Sequence, residues 1–139
     1  MSHISEIVAF AQSDSNKEYR EIVISTTPNF QAQRIAQDTG IQIRGAKKIL
    51  TTDGIRHAYS THGNAVLEKE RNQIGITDSD FESMAEIINN FDRVEVGDNK
   101  RGNKSIVFIK WMNNKLYHIA MIYSGKDLFF ATMYIKQHK

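Results

Sequence analysis

The sequence predicts an α+β domain in which N-terminal helices pack on a C-terminal antiparallel sheet of four strands. Three observations lead to this fold class. Apolar residues recur at helical spacing as far as about residue 90, and after Arg93 the periodicity changes to that of strands. Two turns, Asn113-Asn114 and residues 124–127, divide this part into hairpins. Helices followed by a meander of strands are typical of α+β proteins.

Composition places the chain among soluble globular domains. Its 139 residues are 40% hydrophobic and 24% charged, which suits one domain over residues 1–139. The absence of cysteine excludes a disulfide framework and a thiolate zinc site. No stretch approaches the ~20 apolar residues of a membrane span, and Met1-Ser2-His3 does not begin a signal peptide. We therefore expect no membrane contact and a cytoplasmic location.

The charge is distributed unevenly along the chain. Residues 1–97 hold 10 lysines and arginines against 14 carboxylates, whereas residues 98–139 hold 8 against 2. A basic C-terminal part suits a surface that faces a polyanion. The alternative is a sheet whose edge lysines protect it from aggregation.

The first third of the chain is predicted to contain two helices and one strand. Apolar spacing from Ile4 predicts a helix over residues 2–11, and a β-branched run predicts a strand over residues 21–25. A second helix is expected to begin with Thr27 as its cap and Pro28 in its first turn.

The middle of the chain is predicted to hold a helix between two irregular segments. Residues 41–50 have the pattern of an extended connector with three cations, Arg44, Lys47 and Lys48. Simple solvation of these cations is favoured over phosphate binding. Residues 51–63 are predicted to be helical. Residues 64–75 are polar and charged, and we expect a mobile excursion there.

The rest of the chain follows a helix with strands. Thr77 and Asp80 form a capping-box pattern before an apolar stripe that ends near Asn90, so one helix with a core-facing side is predicted. The predicted strands cover residues 93–96, 105–112, 115–123 and 128–136.

The first candidate functional segment is the predicted helix over residues 51–63. Thr52 or Asp53 can cap its start, and Gly63 can end it in the left-handed conformation. His57 and His62 are five residues apart, so they diverge by roughly 140° around a helix. If both serve one site, His62 must lie in the last turn. The pair is either an acid–base pair or a capping histidine beside an exposed one.

The second candidate functional segment is the last strand. Alternation gives it a polar face with a hydroxyl, a phenol and an ammonium group, which together suit a phosphate. The alternative is a half-exposed strand with ordinary β-forming residues. The polar residues are Thr132, Tyr134 and Lys136, and the core-facing residues are Phe129, Ala131, Met133 and Ile135.

Two histidines, a hydroxyl and a lysine without a carboxylate cluster suit cleavage of a phosphodiester without a metal or other cofactor. One histidine removes the proton of a ribose 2′-hydroxyl, and the other protonates the leaving 5′-oxygen. Lysine and a hydroxyl stabilise the charge of the transition state. Since this chemistry needs the 2′-hydroxyl, it predicts RNA as the substrate.

Several segments resemble the nucleases of the Barnase–EndoU–colicin–RelE-like (BECR) superfamily, and above all its phage branch, which is found in phage MuF-type proteins and polymorphic toxins. The resemblance covers about residues 21–136. The segments are Ile43-Arg44-Gly45, residues 50–57, His62-Gly63, Ile76-Thr77-Asp78-Ser79-Asp80-Phe81 and Thr132-Met133-Tyr134-Ile135-Lys136.

The resemblance implies the helices-plus-four-stranded-sheet fold and a metal-independent endoribonuclease that leaves a 2′,3′-cyclic phosphate. By position, the histidines of the family fall on His57 and His62, and its strand residues fall on Thr132 and Lys136. Tyr134 is added as a catalytic candidate because alternation along the strand places it on the same face as Thr132 and Lys136.

Three further residues are predicted to bind substrate: Arg56, Lys110 and His118. His118 is also a rival catalytic residue. A four-residue turn places it on the face of Met133, but a one-residue bulge would bring it beside Thr132.

The resemblance implies RNA as the partner, with tRNA as one candidate, together with an immunity or antitoxin protein. Carriage in a phage particle is a further implication. Two alternatives stay open. One is a catalytically silent domain of the same fold that binds nucleic acid or a phage protein. The other is an unrelated α+β domain that binds a small anion.

Overall fold

A computed structural model describes residues 3–13, 18–99 and 101–137 of the chain. These residues form an α+β fold, as predicted. The helices are α1 (His3–Ala11), α2 (Asn29–Thr39), α3 (Thr52–His62), α4 (Ala65–Glu70), α5 (Asp78–Glu82) and α6 (Met84–Asn89). The strands are β1 (Glu21–Thr26), β2 (Lys47–Thr51), β3 (Gln73–Ile74), β4 (Arg93–Val96), β5 (Lys104–Met112), β6 (Lys115–Ser124) and β7 (Asp127–Lys136).

The strands form one mixed sheet in the order β1-β2-β7-β6-β5-β4, and β3 also pairs with β7. The predicted antiparallel meander is confirmed as β4, β5, β6 and β7. The predicted number of four strands is wrong for the sheet as a whole, because β1, β2 and β3 extend it. β2 runs parallel to β7, and its other edge pairs with β1.

The expectation of an extended connector over residues 41–50 is wrong for its second half, which is strand β2. The strand is paired on both edges, and Ile49 and Leu50 are buried. Strands that are buried on both faces show little alternation, so the sequence pattern was weak here. Lys48 is fully buried rather than solvated. Its ammonium donates hydrogen bonds to Ile88 O at 2.7 Å and to Asn89 Oδ1 at 3.2 Å, and it also contacts Gln31 Oε1.

The helices follow the predicted pattern with two corrections. Thr27 does not cap α2; its buried hydroxyl donates to Ala46 O at 2.8 Å, and Pro28 occupies the cap position instead. The helix predicted as one from Thr77 is divided at Ser83 into α5 and α6. The start of α1 at Ser2 lies outside the described residues.

Residues 64–75, which were expected to be mobile, form α4 and β3. The Asn64 side chain caps α4 by accepting the N–H groups of Val66 at 3.0 Å and Leu67 at 3.2 Å. Gln73 then pairs with Lys136, so this segment returns to the end of β7.

The turn at Asn113-Asn114 is confirmed. Both residues have positive φ, 55° and 58°, which suits a two-residue hairpin turn. The N–H of Thr77 donates to Asp80 Oδ2 at 2.9 Å, as half of a capping box.

The main core lies between the helices and one face of the sheet. Strand residues of this core alternate along β6 and β7, whereas their neighbours point to the other face. The apolar stripe of α5 and α6 is buried, as predicted. Among the described residues, no helix has the length and apolar character needed to cross a membrane.

Candidate active site on the polar face of β7

The candidate site lies where three segments, β2, α3 and β3, pack along the same edge of β7. One edge pairs along its length with β6. On the other edge, β2 pairs at Leu128 and Phe129, while β3 pairs at Ile135 and Lys136. No strand pairs with the middle of this edge among the described residues, and helix α3 packs against β7 there.

Helix α3 lies close to β7 because of a threonine cap and a glycine. Thr51, rather than Thr52 or Asp53, is the cap, and its hydroxyl accepts the N–H of Gly54 at 3.0 Å. A side chain at Gly54 would meet the carbonyl oxygen of Phe130 at 2.3 Å. Only glycine permits this approach, which sets the distance between the helix and the strand.

His62 is the last residue of α3 and lies over the second half of β7. Its ring centroid is 5.6 Å from the ring centroid of Tyr134. Its backbone oxygen accepts the N–H of Ile76 at 3.0 Å. Gly63 follows in a right-handed conformation with φ −86°, so the predicted left-handed exit is wrong. The glycine is required instead because a Cβ would lie 2.5 Å from Tyr59 O.

His118 reaches the same ring from the neighbouring strand. The register between β6 and β7 shifts after the pair Ala120–Thr132, so that Met121 pairs with Phe130. This one-residue bulge places His118 opposite Tyr134, and their rings stack at 4.5 Å. The bulge alternative is therefore the one that the fold adopts.

The bulge also corrects the predicted core face of β7. Phe130 is buried in the core, although the alternation pattern assigned that position to Phe129. Met133 and Ile135 are buried as predicted, because they lie beyond the bulge.

Burial controls the charge of the two stacked rings. His118 is only 4% exposed, and desolvation lowers its pKa to about 4, so the imidazole is neutral at neutral pH. A hydrogen bond to Leu116 O at 3.3 Å opposes this shift, and Lys136 adds to it. Burial also raises the pKa of Tyr134, with Glu95 as a further cause, so the phenol keeps its proton.

The rest of the polar face is provided by Thr132, Lys136 and Gln73. Thr132 Oγ1 and Gln73 Oε1 are buried atoms without a hydrogen-bond partner among the described residues. Buried polar atoms are usually paired, so the Thr132 hydroxyl has an unused capacity to donate or accept a hydrogen bond, and the Gln73 amide oxygen has an unused capacity to accept one. Lys136 is exposed at the end of the strand, and Gln73 lies opposite it.

We call the group formed by His62, His118, Thr132, Tyr134 and Lys136 the ring cluster. Three predicted site residues are not part of it. His57 is exposed, and its ring makes no hydrogen bond or ring contact within residues 3–13, 18–99 and 101–137. Arg56 donates to Ala11 O at 3.0 Å and to Glu18 O at 3.1 Å, so it ties α3 to the N-terminal segment. Lys110 pairs with Tyr117 on the opposite face of the sheet and donates to Asn90 O at 2.8 Å.

Two residues of the site were not identified from the sequence. Glu68 is fully buried and lies 3.0 Å from His62 Nδ1, and Gln73 lies at the end of β7. The three-residue spacing of Glu68 and Arg71 is compatible with a helical ion pair, but such spacing carries no information on burial or on a contact with a histidine.

The chemical groups that meet here are two imidazoles, a phenol, a hydroxyl and an ammonium. Within the part of the chain that the structure describes, no three His, Asp or Glu side chains gather in a way that could hold a metal ion. Cavities of about 400, 270 and 260 Å³ lie elsewhere, around α2 and α1, and none is lined by the residues of the ring cluster. Within the ring cluster, Lys136 is exposed, whereas the imidazole of His118 is buried.

Comparison with known proteins gives one family. Residues 26–139 match the family model described as phage-Barnase-EndoU-ColicinE5/D-RelE like nuclease 3 (PBECR3). No curated protein and no solved structure gives a significant match. The matched region contains β7, α3 and every residue of the ring cluster. The chain therefore belongs to the phage-Barnase-EndoU-ColicinE5/D-RelE like nucleases, and it is a nuclease-family domain.

Proposed function

We propose that the protein is a metal-independent endoribonuclease that cleaves RNA through attack of a ribose 2′-hydroxyl and leaves a 2′,3′-cyclic phosphate. One observation carries the proposal. The rings of His62 and His118 both contact the ring of Tyr134, on the sheet face that also presents Thr132 and Lys136. Groups that move protons therefore lie beside groups that bind a phosphate.

His62 is the residue that we assign as the general base. Its side chain is 14% exposed, whereas His118 is enclosed by its neighbours on the sheet. In the proposed step, His62 takes the proton of the 2′-hydroxyl while the 2′-oxygen forms a bond to phosphorus. The bond from phosphorus to the 5′-oxygen breaks in the same displacement.

Tyr134 is the residue that we assign as the proton donor to the leaving 5′-oxygen. The low pKa of His118 leaves it without a proton to give at neutral pH, whereas the raised pKa of Tyr134 keeps its phenol protonated. His118 stacks on Tyr134 and orients it. Lys136 and the hydroxyl of Thr132 bind the phosphate oxygens, whose negative charge grows in the transition state.

The test is incubation of the purified chain with total RNA and tRNA in excess EDTA. We expect cleavage with cyclic-phosphate ends, and a loss of about a hundredfold or more in His62→Ala and Lys136→Ala. His57→Ala is the matched control, since it removes an exposed imidazole from the same helix and should leave cleavage intact. DNA of the same sequence should resist, because it lacks the nucleophile.

Three outcomes would contradict the proposal in different ways. Equal cleavage of DNA would exclude the 2′-hydroxyl mechanism. Cleavage that survives His62→Ala but not His57→Ala would move the general base to His57. Loss of cleavage in EDTA that a divalent ion restores would make the enzyme metal-dependent.

A second function is a catalytically silent domain that binds RNA or a phage or immunity protein. One observation favours it: His118 is only 4% exposed, so one of the two histidines of the ring cluster is shielded from a substrate. Binding of tRNA by the folded wild type without any turnover would support this function and contradict the nuclease.

A further inference from the structure

Glu68 is an acidic side chain that is fully buried beside the proposed base. Burying a carboxylate is unfavourable unless its oxygens are paired. Here each oxygen has its own partner. Oε2 lies 3.0 Å from Nδ1 of His62, and Oε1 lies 2.8 Å from Nη1 of Arg71. One oxygen is thus held by a permanent cation, and the other is directed at the imidazole.

Arg71 also fixes the position of the carboxylate relative to α3. The same nitrogen, Nη1, donates to Thr61 O at 3.0 Å, in the last turn of α3. The neighbouring residue of that turn is His62 itself. Arg71 therefore joins α4 to the end of α3, and the same nitrogen holds the carboxylate beside His62.

An ionised carboxylate accepts hydrogen bonds and cannot donate one. The contact with Glu68 therefore requires that Nδ1 of His62 carries the proton. The other ring nitrogen, Nε2, is then the basic one, and it has no hydrogen-bond partner among the residues that the structure describes.

We propose that Glu68 is a positioning residue, which holds His62 in the Nδ1–H tautomer and leaves Nε2 as the nitrogen that accepts the substrate proton. The proposal deepens the assignment of His62 and rests on the ribonuclease function proposed above. Glu68 acts through His62 and does not touch the substrate. When Nε2 takes up a proton, the buried carboxylate also lies next to the positive charge of the imidazolium.

A purely structural role for Glu68 makes different predictions. In that case the carboxylate only anchors α4 through Arg71, and its loss lowers stability without changing the reaction of the folded protein. The two roles are separated by measurements on His62 itself and by kinetics of the folded variants.

The first measurement is the tautomer of His62 in the full chain, from long-range proton–nitrogen correlation spectra above neutral pH. The wild type should show a protonated Nδ1 and a bare Nε2. Glu68→Gln should lose this preference, because a carboxamide can both donate and accept. Glu70→Gln is the matched control, since it removes an exposed carboxylate from the same helix and should leave the tautomer unchanged.

The second measurement is the kinetics of RNA cleavage. Glu68→Gln should lower kcat by about tenfold or more while KM stays nearly constant, because binding of the phosphate does not involve His62 Nδ1. Glu70→Gln should retain wild-type kcat. Circular dichroism and thermal unfolding establish that each variant is folded.

The outcomes distinguish this proposal from the ribonuclease assignment. If the wild type cuts no RNA, the ribonuclease assignment fails, and the tautomer alone then decides whether Glu68 orients His62. A wild-type His62 that carries its proton on Nε2 would overturn the proposal, whatever the activity. Full kcat in folded Glu68→Gln, together with inactive His62→Ala, would also overturn it and leave the nuclease in place.

Discussion

Helices α4 and α5 each bury one carboxylate against a cation. Glu68 in α4 pairs with Arg71, and Asp80 in α5 pairs with Lys115 at 3.2 Å. Both acids are shielded from solvent, with Glu68 fully buried and Asp80 2% exposed. By burial and ion pairing alone, the two positions cannot be told apart.

The two carboxylates differ in the other groups that they contact. Asp80 accepts the N–H of Thr77 at 2.9 Å and the hydroxyl of Tyr117 at 2.7 Å, so it joins the start of α5 to β6. Glu68 instead contacts His62, whose ring faces Tyr134. A buried, paired carboxylate is thus a sign of function only when its partner in turn faces a reactive group. Asp80 serves the fold, and we expect Glu68 to serve the reaction.

Replacement of Asp80 has the largest expected effect on stability. Asp80→Asn should lower the free energy of unfolding by about 3 kcal/mol, because the Lys115 ammonium and the Tyr117 hydroxyl lose a charged acceptor. The folded fraction should retain its nuclease activity. Urea denaturation and an activity assay of the folded protein measure the two effects, with Glu70→Gln as the exposed control. A stable but inactive Asp80→Asn protein would remove the distinction between the two acids.

Lys48 is a third buried charge, and it differs from the two acids because its partners are neutral. Burial lowers its pKa from 10.5 to about 8. Between these values the unfolded chain binds more protons than the folded one, so stability should increase as pH rises, on the order of 2 kcal/mol. Urea denaturation at several pH values should show this increase in the wild type and not in Lys48→Met. Lys47→Met, at the exposed neighbouring position, should keep the wild-type slope. Equal slopes in all three proteins would show that Lys48 is not desolvated.

The smallest effects are expected from the partner cations. Arg71 is 50% exposed and Lys115 is 30% exposed, so solvent partly screens both cations, but each leaves a buried carboxylate without its cation when it is replaced. Arg71→Gln and Lys115→Gln should therefore each lower stability by about 1–2 kcal/mol, which is less than the effect of Asp80→Asn. Only Arg71→Gln should also lower kcat, because it loosens the carboxylate that holds His62. Parallel thermal unfolding and cleavage assays compare the pair. An equal loss of kcat in both variants would mean that the effect is one of general stability.

Local patterns in the sequence were enough to predict much of the fold. The meander followed from the change to strand periodicity after Arg93, and the hairpin at Asn113-Asn114 followed from residues that tolerate positive φ. His62 lies in the last turn of its helix, but the condition attached to that prediction, a site shared with His57, is not met because His57 is exposed. The prediction that Thr132, Tyr134 and Lys136 share one face of β7 was also correct, because it depends only on neighbours along one strand.

The failures share a physical cause, which is that they depend on contacts between distant segments. Lys48 was expected in solvent because nothing near it in the sequence shows that β2 is enclosed by β1 and β7. The position of His118 depended on a single extra residue in β7, which the pattern left open. Glu68 was missed because a charged residue in a polar segment looks the same whether it is exposed or buried.

The shared edge of β7 has a consequence for when activity can appear. β2, α3 and β3 all dock on this strand, and β7 follows all of them in the chain. The rings of His62 and Tyr134 therefore meet only after the most distant segments have come together, a slow class of folding event. During synthesis, a growing chain has its histidine helix complete long before it has the strand on which that helix works. A nuclease with this topology therefore cannot assemble its candidate site until β7 has been made.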